Sequence, residues 1–157
     1  MESKLKGVHR MARRTFFSFH YKHIWKVNQI RSMPNITGSS AAGFQDASLW
    51  EESKKKGKKH IENMIDKGLE NTSVTVVLIT YGATNRDYIN YEIDQSLDRG
   101  NGLVTVQIHH LKDPNVDGNS PGAIPSKIEE NGFKAYKYSN KEDLARWIEE
   151  AAKIAGK

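Results

Sequence analysis

The chain has no cysteine. That excludes a disulfide framework and any thiolate metal site, and it suits a reducing cytoplasm, where we expect the protein to work. No apolar run approaches the roughly 20 residues that a membrane span needs. The basic N-terminus is not followed by an apolar core, so it does not read as a secretory signal. The glycine-rich phosphate loops GxGxxG and GxxxxGK[ST] are both missing, as is the GxSxG turn of serine hydrolases. Proline is sparse: there are four in 157 residues, and Pro114, Pro121 and Pro125 crowd into one region with Gly118 and Gly122. A chain of this length can bury a full core as one domain without help from metals or cross-links.

The net charge of +5 has a local origin. Residues 1–14 carry Lys4, Lys6, Arg10, Arg13 and Arg14 against Glu2, and residues 54–59 carry five lysines, which leaves the body of the chain mildly acidic. Nucleic-acid binders are basic over a whole face or stripe, so no nucleic-acid partner is expected, and no membrane partner. The lysine run reads as the solvated start of a helix. Residues 1–12 read as a basic appendage, and 13–157 as the domain.

What is present is an alternation of strand and helix patterns. Aromatic residues 15–21 (TFFSFHY) read as strand one. Ile24, Val27 and Ile30 lie at helical spacing, and Pro34 stops that helix. Residues 35–42 are rich in Gly and Ser and read as a loop, followed by a weak second strand at 43–47. Ile61, Met64, Ile65 and Leu69 share one face of a helix over 53–69. Residues 74–80 (VTVVLIT) are the strongest strand. A helix follows over 85–99 with Ile89, Ile93 and Leu97 four apart. Residues 103–109 alternate as strand four, 112–125 form a long irregular loop, and 126–131 suit a short helix. Residues 133–138 make strand five, and Asn140 caps a last helix with Leu144, Trp147, Ile148 and Ala151 facing inward. Five strands alternating with helices predict an α/β fold: a doubly wound parallel sheet of order 2-1-3-4-5 with helices on both faces. Strands one and three would then meet at the switch point, where such sheets bind ligands.

The ends of those two strands carry the candidate site. Strand one offers Phe17, Ser18 and His20. The turn after strand three offers Asn85 and Arg86, and its helix offers Tyr88 and Glu92. Glu92 lies beside the Ile89–Ile93–Leu97 stripe, which suits either a surface salt-bridge partner or a working carboxylate. Asp46 and Trp50 (DASLW) offer a carboxylate and a ring that either packs or stacks on a flat ligand. His20-x-x-His23 and His109-His110 lack a third ligand at a known spacing, and neighbours on a strand point to opposite faces, so no metal site is expected. A phosphoreceiver would want acidic residues at the end of strand one and an aspartate at the end of strand three, where this chain has His20 and Thr80.

These residues carry a resemblance. RTFFSFH resembles the first-strand box of TIR domains, [VF]-[FI]-[IL]-S-[YF]. Tyr88-Ile89-Asn90-Tyr91-Glu92 resembles their W-C-x-x-E helix box, with Tyr for Trp and Ile for Cys. FFSFHY, AAGFQDASLWE, NTSVTVVLI, NRDYINYEI and SLDRGNGL together resemble the TIR-like family of bacterial Thoeris anti-phage proteins, ThsB, over about residues 13–110. The resemblance implies a flavodoxin-like TIR fold that takes NAD as substrate, with no resident cofactor. It implies cleavage of the nicotinamide–ribose bond with Glu92 as the catalytic residue, and a cyclic ADP-ribose-type signal that activates a ThsA-type effector after a phage trigger. The residues expected around the substrate are Phe17, Ser18, His20, Asp46, Trp50, Asn85, Arg86 and Tyr88. Self-association belongs to the same expectation, although the loop at 35–42 is short for it. The rival reading is a TIR scaffold without catalysis, binding a protein or nucleotide.

Overall fold

Val74–Ile79 has no polar face: every side chain is apolar or threonine, and all six residues are buried. Such a segment satisfies its backbone and its side chains together only in the middle of a sheet covered on both faces. It becomes the central strand β3 of a computed structural model that describes residues 14–19, 24–31, 37–39, 47–80, 86–112 and 121–157. Within these, residues 24, 31, 37–39, 47–50 and 86–87 are described by their backbone alone.

Strand β1 (Arg14–Ser18) pairs with β3 on one side and β4 (Gly102–Gln107) pairs with it on the other; β5 (Lys134–Lys137) extends the sheet beyond β4. A three-residue strand, β2 (Thr37–Ser39), lies at the far edge against β1. Every pairing is parallel, and the order is β2-β1-β3-β4-β5. The edge strand corrects the sequence reading. Residues 35–42, expected to be a loop, contain it; of the expected strand at 43–47, Ala47 is helical and 43–46 lie outside the described residues. Gly38 and Ser39 are poor strand formers, but the ladder to Arg14, Thr15 and Phe16 overrides this.

Six helices occur among the described residues: α1 (Ile24–Arg31), α2 (Ala47–Lys55), α3 (Lys58–Leu69), α4 (Arg86–Asp98), α5 (Ser126–Glu130) and α6 (Lys141–Ile154). The single helix expected over 53–69 is two. Gly57, at φ 96°, breaks it, and the Lys56 and Gly57 N–H groups close α2 by donating to the Ser53 and Lys54 carbonyls at 3.1 Å. The lysine run therefore straddles a corner. Asn140 caps α6 as its sequence suggests, with its side chain accepting from the Asp143 N–H at 2.7 Å. None of the described helices is long and apolar enough to cross a membrane.

The pleat of β1 assigns neighbours to opposite faces. Phe16 packs with Ile61, Ile65 and Leu69 of α3 on one face, while Phe17 joins the larger core with Val27 and Ile30 of α1 and Leu144 and Ile148 of α6. Ser18 is thus on the Phe16 face, and that is the face α4 crosses.

Candidate active site

Helix α4 turns a mixed face to the sheet. Ile89, Glu92, Ile93 and Ser96 fall at i, i+3, i+4 and i+7, and their exposures are 7, 1, 0 and 0%. A charge-bearing residue thus sits in the middle of a buried stripe. Ser18, at the carboxyl end of β1, donates its hydroxyl to Glu92 Oε1. The other oxygen, Oε2, is buried and has no hydrogen-bond partner among the described residues. Loss of water pushes the Glu92 carboxyl up from 4.5 to about 8, and the Ser18 hydrogen bond pulls it part of the way back.

The helix that carries Glu92 is itself pinned. Ser96 Oγ donates to the Glu92 carbonyl at 2.7 Å and lies 2.6 Å from Thr75 Oγ1 on β3. With the Ser96 proton committed to that carbonyl, Thr75 is the donor to Ser96. Asn101 Nδ2 donates to Thr72 Oγ1 at 3.0 Å and reaches Thr75 Oγ1 at 3.5 Å, and Thr72 donates to the Leu69 carbonyl at 2.6 Å. This chain of buried hydroxyls satisfies itself in one direction and fixes the depth of α4 on the sheet.

A second feature closes the carboxyl end of β3. The Gln107 amide at the end of β4 makes two bonds to the backbone of Gly122: Nε2 donates to the carbonyl at 2.8 Å and Oε1 accepts from the N–H at 3.0 Å. A Cβ at Gly122 would lie 2.5 Å from the Thr80 carbonyl oxygen, so only glycine lets this strap approach the strand. On the other face of the sheet, the buried Lys26 of α1 donates to the His109 carbonyl at 2.7 Å, and Gln29 donates to the Lys112 carbonyl at 2.7 Å. Both hold the segment that follows β4. His110 Nε2 lies 2.7 Å from the Tyr138 carbonyl, and among the described residues no group of His, Cys, Asp or Glu could hold a metal ion.

The structure brings two of the expected site residues together, Ser18 and Glu92. Phe17, at 1% exposure, is packed in the larger core, and the pleat of β1 points it away from the face that carries Ser18. Tyr88 is half-buried against the Phe16 cluster and, with Tyr91, lines an outer cleft of about 420 Å³ between α3 and α4 that Glu92 does not reach. Trp50 and Arg86 have helical backbone, in α2 and at the start of α4, with side chains outside the described set. His20, Asp46 and Asn85 lie outside the described residues. Glu92 is no surface salt-bridge partner. Asp94 fills that role, paired with Lys127. Sequence reasoning missed Thr75, Ser96, Gln107 and Gly122. Ser96 had a signal, its i+4 spacing from Glu92, whereas the Gln107–Gly122 pairing had none.

The fold and site define a doubly wound parallel α/β domain, with a carboxylate seated on the helix after its third strand against the end of its first. A family model described as Thoeris protein ThsB, TIR-like domain, matches residues 16–113, a span that runs from within β1 past β4 and holds Ser18 and Glu92. A protein of Bacillus cereus (strain MSX-D12) named "Putative cyclic ADP-D-ribose synthase ThsB1" is 39% identical over 133 residues, which cover 83% of this chain and 67% of that protein. The chain belongs to the Thoeris ThsB family of TIR-like proteins.

Proposed function

We propose that this protein cleaves NAD at the bond between nicotinamide and ribose and closes the remainder into a cyclic ADP-ribose-type signal. Glu92 is the catalytic residue in this reading. The observation that carries it is a fully buried carboxylate with one oxygen held by Ser18 and the other without a partner among the described residues, at the switch-point end of the sheet. The name of the Bacillus cereus relative supports the product class.

The chemistry follows from the charge. In the C1′–N1 bond of NAD the electron pair leaves with nicotinamide, which neutralises the pyridinium ring and leaves an oxocarbenium-like ribose. A buried carboxyl at about 8 is largely protonated at neutral pH in the empty protein. A pyridinium cation beside it favours the ionised form, so the negative charge arrives with the substrate and then faces the developing cation. A ring nitrogen of adenine or a hydroxyl of the adenosine ribose attacks C1′ to close the product. The hydroxyl gives its proton to the Glu92 carboxylate as the bond forms, which returns that group to the neutral form of the empty protein. Cyclisation in place of hydrolysis requires a folded-back substrate and exclusion of water.

In the cell this reading places the protein upstream of a ThsA-type effector. A phage protein serves as trigger, and self-association serves as a second level of control. The test is nicotinamide release from NAD by the purified protein, with extract of phage-infected cells added as trigger, for wild type and Glu92→Gln. We expect a loss of about 10²–10³-fold or more in the variant, the scale of removing one electrostatic stabiliser. Equal release from both would remove Glu92 from the mechanism and favour a TIR scaffold.

A further inference from the structure

Glu92 is held at two points by two neighbouring strands. Its carbonyl is tied through Ser96 to Thr75 on β3, and its side chain is tied to Ser18 on β1. The first tie sets the height of the helix. Only the second touches the carboxylate, and it touches one oxygen. Ser18 is completely buried, and its single hydroxyl proton is committed to Oε1. Oε2 is as buried as its twin and has no partner among the described residues. A polar atom stripped of water and left unpaired costs free energy in the empty protein, which a partner arriving with substrate would return.

We propose that Ser18 is a positioning residue that anchors one Glu92 oxygen to β1 and leaves Oε2 to face the reacting ribose. The inference rests on the NAD-cleaving reading for its substrate, but not for its first consequence. Among the described residues the anchor is also the only hydrogen bond that stabilises the ionised carboxylate. From the packed elements, β1 offers Glu92 Ser18, β3 offers Thr75 and Val77, and β4 offers Thr105, none of them charged. Of the charges on α3 and α4, Lys58, Glu62 and Asp94 line the outer cleft, and Asp66 accepts from Tyr91 at 3.1 Å. Ser18 therefore sets the aim of Glu92 and also the pH at which it ionises.

The experiment is a titration of the Glu92 side-chain carboxyl by carbon-13 NMR in the ligand-free protein, for wild type, Ser18→Ala and Ser18→Thr. The Ala variant should ionise at a pH at least about one unit higher, a tenfold change worth ~1.4 kcal/mol. The Thr variant keeps the hydroxyl and should stay near wild type. Should Ser18→Ala fail to fold, Ser18→Cys, with its weaker S–H donor, must move Glu92 in the same direction. With NAD, kcat/KM of the Ala variant at pH 7 should fall about tenfold and recover in part at pH 9, which a merely destabilised protein would not do. An unchanged Glu92 midpoint in the Ala or Cys variant overturns the proposal whatever the activity. A shifted midpoint in a protein whose wild type never cleaves NAD overturns the functional reading and leaves the Ser18 anchor standing.

Discussion

Taking a carboxyl out of water favours its neutral form, and at Glu92 the described residues offer only one hydroxyl in return. The consequence for stability has a definite sign. A carboxyl whose value rises from 4.5 unfolded to about 8 folded binds more protons in the native state between those values. Stability is therefore full below the unfolded value and is lost as pH rises towards the folded one. Glu92→Gln keeps the shape and cannot ionise. We expect the variant to match wild type near pH 4–5 and to exceed it at pH 8 and above, by on the order of a few kcal/mol. Urea denaturation at both pH values checks this, and a difference that does not vary with pH would show that Glu92 is solvated. The sequence made Glu92 a candidate through the helix box and left its burial open. A residue one step from an apolar stripe is buried or exposed according to what the helix lies on, and here Ser18 and the Thr75–Ser96 pair supply polar contacts for that flank.

At the scale of elements, close approaches decide where the chain goes. The strap at Gly122 meets the end of β3 with no room for a side chain, and Gln107 secures it with two hydrogen bonds. Gly122→Ala should cost about 1–3 kcal/mol through overpacking, or push the strap off the strand. Gln107→Ala, which removes the bonds without adding bulk, should cost a similar ~1–3 kcal/mol. Chemical denaturation of both variants tests the contact, and wild-type midpoints in the two would mean that the strap does not lie on β3. The same logic explains which elements were legible. Asn140, the apolar stripe of α6 and the unbroken run of β3 each carry their own signal. Strand β2 carries none, because three small residues become a strand only by borrowing the ladder of β1. The break at Gly57 was visible as a glycine, but helices tolerate single glycines, and only its φ of 96° shows that this one turns a corner.

For the molecule as a whole, stability resides in the sheet centre. Strand β3 is paired along both edges and buried throughout, while its neighbours thin out towards a three-residue edge on one side and the half-exposed β5 on the other. The exposed ion pairs, such as Lys134–Glu150 at 3.6 Å and Arg146–Asp143 at 2.8 Å, are screened by solvent and add little to it. Native-state hydrogen exchange should therefore rank the amides of Val76, Val77 and Leu78 slowest, at the global unfolding free energy, with the β2 edge exchanging through smaller openings. A β2 protected as strongly as β3 would contradict this ordering.

The sequence by itself determined the class of fold, the core of each long element and the candidate carboxylate. Apolar periodicity and helix caps are local signals, and the two TIR-like boxes are short enough to survive substitution of Trp by Tyr and Cys by Ile. Only the tertiary structure decided that Ser18 and Glu92 meet, that Phe17 turns away from them into the core, and that a glycine strap closes the end of β3. Each of these depends on which face a pleat presents and which strands lie side by side. Contacts between residues 74 positions apart, as in Ser18 and Glu92, are set by that packing and leave no trace in the local pattern.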